Sequence, residues 1–110
     1  MNDRYDDALK YMFKVEYMTK GKTSAQRAIA WCYFMLDKYD KAIEMYTKIL
    51  EKKDATAEDW MNIGHVYLVN NDIKNAISFY KKANELIDKK SSFYEIFSSD
   101  IKTLQSKGVD

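Results

Sequence analysis

The chain repeats itself every 34 residues, and that period constrains its fold more than any single side chain. Ala42 recurs as Ala76, Ile43 as Ile77, Tyr46 as Tyr80 and Tyr33 as Tyr67. One further step back leads from Ala42 to Ala8, from Ile43 to Leu9 and from Tyr39 to Tyr5. A fixed period of this size belongs to stacked supersecondary units, each burying its apolar face only against its neighbours. Such an architecture suits peptide or protein binding better than catalysis.

The local signals are helical throughout. Tyr5, Ala8, Leu9, Met12, Phe13 and Val15 follow 3- and 4-residue spacing, the signature of an amphipathic helix. The same reasoning predicts helices over residues 4–18, 24–36, 41–52, 57–69, 73–88 and 93–105. Gly21 suits a helix C-cap. Thr23 with Gln26, Thr56 with Asp59 and Ser92 with Glu95 read as capping boxes that open the second, fourth and last helices. Asp37-Lys38 reads as a tight turn, and so does Asn70-Asn71-Asp72, since Asn tolerates left-handed backbone. Pro is absent and Gly occurs 3 times, so little interrupts helix formation. The 110 residues read as one domain, 1–110, by size.

The unit from Ala57 to Lys90 resembles a tetratricopeptide repeat. Trp60 is followed by Ile63-Gly64, then Tyr67, then Ala76, Tyr80 and Ala83. The family pattern is W-x2-L-G-x2-Y, with a small residue, an aromatic and an Ala on the second helix. Asp88 stands where the unit usually closes with Pro. The preceding unit, 23–56, keeps Ile29, Ala30, Tyr33, Ala42 and Tyr46 but has Gln26 in place of Trp60. Residues 4–18 match only the second helix of a unit, and 91–107 only a first helix that caps the C-terminal end. The resemblance implies an all-α, right-handed solenoid of helical hairpins, five to six helices laid out as half, whole, whole, half. Leu9, Met12 and Phe13 then leave an apolar face without a partner helix, which predicts self-association through the N-terminal helix.

In this family the first helix of each unit lines a concave groove. The resemblance therefore implies a peptide-binding groove of Arg27, Trp31, Phe34 and Met35 from one unit and Met61, Asn62, His65 and Leu68 from the next. Ile29 and Tyr33 occupy the core-facing stripe of their helix. Trp31 thus falls on another face, where an exposed aromatic serves as an anchor; core packing is the alternative for it, as for Phe34 and Met35. Some family members clamp chaperone C-termini with basic and Asn side chains. Arg27 and Asn62 match two of those positions, whereas Trp31, Ser92 and Ile96 depart from the others, so the clamp is not expected. His65 is expected to be solvated in the groove, and Cys32, aligned with Val66, to be an inert buried thiol.

Other functions lack support. No Ser/His/Asp or Cys/His arrangement and no Gly-rich phosphate loop is legible, so no enzyme is expected, and no cofactor or metal with it. Lys and Arg number 18 against 17 Asp and Glu, a net charge of +1, which argues against nucleic acid as partner. The longest apolar run, Ala28 to Leu36, has nine residues, far short of the ~20 of a membrane span. The N-terminus shows no basic stretch leading into an apolar one, so no signal peptide is read. One Cys makes no internal disulfide, and a cytoplasmic setting is expected. The expected function is a protein–protein interaction scaffold taking a peptide or helix, with an oligomerisation segment of a longer array as the alternative.

Overall fold

The computed structural model describes residues 2–87 and 90–109, with the backbone alone at residues 2, 3 and 90–92. It is all-α, and among the described residues there are seven helices in place of the five or six expected. They are α1 (Asn2–Met18), α2 (Thr23–Met35), α3 (Tyr39–Leu50), α4 (Ala57–Val69), α5 (Ile73–Glu85), α6 (Lys90–Ser99) and α7 (Ile101–Ser106). They pack as consecutive hairpins, as the repeat predicts. The chain divides into two compact units, Met1–Ala55 and Thr56–Asp110.

In the first unit α2 packs against both α1 and α3. α1 stops where Lys20 and Gly21 take positive φ of 56° and 83°, and the Gly21 N–H donates back to the Glu16 carbonyl at 2.9 Å. This is the glycine-terminated helix end that the sequence predicts. The Thr23 capping box does not form. The N-cap is Lys22, without a side-chain cap hydrogen bond. Thr23 Oγ1 donates instead to Asp54 at 3.1 Å, and Gln26 Nε2 to Glu16 at 3.0 Å. Partners brought in by the tertiary fold displace the local cap. Ile29, Ala30, Ala42 and Ile49 are fully buried, so the small residues Ala30 and Ala42 sit where the helices close on each other.

In the second unit the Thr56–Asp59 capping box forms in both directions. The backbone N–H of Thr56 donates to Asp59 at 2.9 Å, and that of Asp59 to Thr56 Oγ1 at 3.3 Å. Asn71 makes the turn into α5 with φ of 65°. Asp72 caps α5 by accepting from the Asn75 N–H. Gly64 faces Tyr80: a Cβ on residue 64 would lie 2.8 Å from Tyr80 Cε1. Trp60 meets Phe79 at a tilt and Tyr67 stacks on it, at 5.7 and 5.2 Å between centroids.

The last predicted helix is two. α6 already includes the backbone of Ser92, so Ser92 does not cap it; its side chain, like all of Asp88, lies outside the described residues. The helix breaks at Asp100, whose N–H reaches only to the Phe97 carbonyl, three residues back, at 3.0 Å.

Candidate functional site

On α2, the four predicted groove residues divide. Phe34 is buried, with Trp31 and Tyr39 rings at 5.3 and 6.1 Å. Its expected place in an open groove does not hold, because both neighbouring aromatics close over it. Trp31 and Met35 are half-buried. Arg27 is also half-buried, and its Nη2 donates to the Asp54 carbonyl at 2.8 Å. The guanidinium therefore anchors the loop between α3 and α4, a role that spacing along α2 did not signal.

On α4, Met61 is fully buried, and Asn62 and Leu68 are half-exposed. His65 is 1% exposed, so the expected solvated imidazole is corrected. Its Nδ1 lies 2.7 Å from the Tyr80 hydroxyl and its Nε2 2.9 Å from the Asp100 carboxylate. A neutral ring with the proton on Nε2 satisfies both: Nε2–H donates to Asp100, and Nδ1 accepts from the Tyr80 O–H. Tyr80 and Phe97 add edge-on ring contacts at 5.4 and 5.3 Å. Burial, and then the charge of Asp100, push the Tyr80 phenol well above its usual range. The hydroxyl thus stays a donor. The trio of Tyr80, His65 and Asp100 ties α5, α4 and the α6–α7 break together. Its members are 15 and 35 residues apart, so no local motif reveals it.

Shallow clefts lie on the surface of both units among the described residues. Leu68, Phe97, Ile101 and Leu104 line one of about 400 Å³. Phe13, Tyr33, Lys41, Glu44, Met45 and Lys48 line one of about 270 Å³ in the first unit. Trp60, Phe79, Lys81, Lys82 and Glu85 line one of about 620 Å³ in the second. The last two are repeat-equivalent, since Met45 and Lys48 correspond to Phe79 and Lys82. In each a lysine sits over an aromatic ring, Lys41 over Tyr33 and Lys82 over Trp60, both at 5.7 Å. Lys82 also lies 4.0 Å from Glu85.

Cys32 is buried, and burial pushes its thiol up, as expected of an inert side chain. Among the described residues no group of three or more His, Cys, Asp or Glu side chains could hold a metal ion. None of the described helices is long and apolar enough to cross a membrane.

No curated protein matches the chain. The tetratricopeptide repeat family model matches residues 23–51 and 57–90, which are the α2–α3 and α4–α5 hairpins with their small-residue contacts at Ala30, Ala42, Gly64 and Ala76. More than half of the sequence is thereby accounted for, and the chain belongs to the tetratricopeptide repeat family.

Proposed function

We propose that the chain is a non-catalytic scaffold that receives a peptide or helix of a partner protein against the first helices of its repeats. Tetratricopeptide repeats generally mediate protein–protein interaction. The observation that supports docking on these helices is that α2 leaves Trp31 and Met35, and α4 leaves Asn62 and Leu68, half-exposed. A tryptophan on a helix surface is the residue type that anchors interfaces most often. The second reading, a purely structural segment, draws on the burial of Phe34, Met61 and His65, which removes three of the eight expected groove residues from contact with a ligand.

Peptides selected from a helical display library against the full chain provide the probe. Backbone amide shifts on adding a selected peptide should concentrate on α2 or α4. Trp31→Ala should weaken that peptide by about 2 kcal/mol, the scale of a hot-spot truncation. Shifts confined to other helices, or an affinity indifferent to Trp31→Ala, would favour the structural reading.

A further inference from the structure

Resting on partner docking at α4, we propose that α7 is a strap: it closes over part of the α4 docking face and swings away when an acidic, apolar helix of a partner takes its place. Two α4 residues expected to meet a ligand are engaged by it. The Nε2–H of His65 donates to the carboxylate of Asp100, the N-cap of α7, at 2.9 Å, and His65 is left 1% exposed. Three residues along α4, Leu68 lines a cleft of about 400 Å³. Its other walls are Phe97 of α6 and Ile101, Leu104, Gln105 and Val109 of α7 and the turn after it.

The hold of α7 on this face is slight. The helix has six residues, well below the ~12–15 at which an isolated helix becomes even marginally stable in water. Its N-cap makes no side-chain cap hydrogen bond, because the Asp100 carboxylate is turned to His65. Ile101 is 38% exposed, so Leu104, at 3%, is the buried apolar anchor of the helix. The open cleft beside Leu68 leaves contacts unmade there. A segment with so few buried contacts opens locally at far lower cost than the hairpin it lies on. When it opens, Leu68, Phe97 and the Nε2 edge of His65 become one free surface. The occupant that fits repeats what α7 presents: a carboxylate for His65, with apolar side chains one and four positions later, as in Asp100, Ile101 and Leu104.

A stapled helical peptide carrying Asp-Ile-x-x-Leu, titrated into the full chain, tests this. Before any peptide is added, α7 amides should exchange with deuterium faster than those of α4 and α5. The peptide should shift the amides from His65 to Leu68 and reduce protection in α7. Asp100→Ala and Leu104→Ser each remove one anchor of the closed state, so each should tighten peptide binding about tenfold. Protection of the α4–α5 amides checks that each variant is folded; Ile101→Ser replaces any that is not. An α7 that exchanges only as slowly as α4 and α5 would overturn the strap without reference to any ligand. Peptide binding at α4 that is unchanged or weaker in the anchor variants would overturn it while leaving docking at α4 intact. A peptide that shifts α4 in none of the chains would also overturn it, and the library-selected peptides then decide separately whether docking on α4 falls with it.

Discussion

Gly64→Ala tests the closest helix contact in the second unit. The added Cβ would lie 2.8 Å from Tyr80 Cε1, 2.9 Å from Cδ1 and 3.3 Å from Cζ. Ordinary carbon contacts are ~3.5–4.0 Å, so the Tyr80 ring must retreat by roughly 0.7 Å or more. It is not free to do so. Its hydroxyl is held by His65 at 2.7 Å, and the Phe97 ring meets it edge-on at 5.3 Å. Overpacking of this kind costs ~1–3 kcal/mol, and stretching the hydrogen bond adds up to ~1 kcal/mol. Alanine returns ~1 kcal/mol over glycine in a helix interior. The net expectation is a loss of ~0–3 kcal/mol, visible in a urea titration followed by far-UV circular dichroism. Tyr80→Leu should make the same glycine change far less costly, because the clashing ring is gone; a double-mutant cycle reads that coupling. A Gly64→Ala protein more stable than wild type by ~1 kcal/mol, the propensity gain alone, would refute the close-contact reasoning.

Further outcomes follow from the same geometry. Asp100→Ala removes the acceptor of His65 Nε2 and should cost ~1–2 kcal/mol, toward the low end because Asp100 is 25% exposed and water can replace part of the bond. Hydrogen exchange should quicken in the α7 amides at the same time; unchanged stability and protection would show that the trio does not hold α7. Trp31→Ala should cost ~1.5–2.5 kcal/mol, about half the ~3–5 kcal/mol of a fully buried tryptophan, given its half-burial against Phe34; a denaturant midpoint at either extreme would contradict this packing. Cys32 should react with an aromatic disulfide reagent at neutral pH far more slowly in the folded chain than in urea, because burial raises its pKa and the thiolate is the reactive form. Equal rates in the two states would mean the thiol is open to solvent.

What was legible in the sequence was whatever depends on period and on neighbouring residues. The 34-residue echo implied helical hairpins, and the small residues at its recurring positions, Ala30, Ala42 and Ala76, are fully buried. The Thr56–Asp59 cap, the Gly21 helix end and the Asn71 turn are all local, and all three formed. The errors share a different cause. Thr23 and Gln26 had the residue types of a capping box, but Asp54 and Glu16 captured their side chains from 31 and 10 positions away. His65 looked like a solvated residue on the first-helix face, but Tyr80 and Asp100, 15 and 35 positions away, close on its two nitrogens. Phe34 left the expected groove because Trp31 and Tyr39 covered it. Helix type and repeat boundaries follow from hydrophobic spacing along the chain, which the sequence carries in full. Whether a polar or aromatic side chain faces water or a partner depends on groups that only the tertiary fold brings within hydrogen-bond or van der Waals reach.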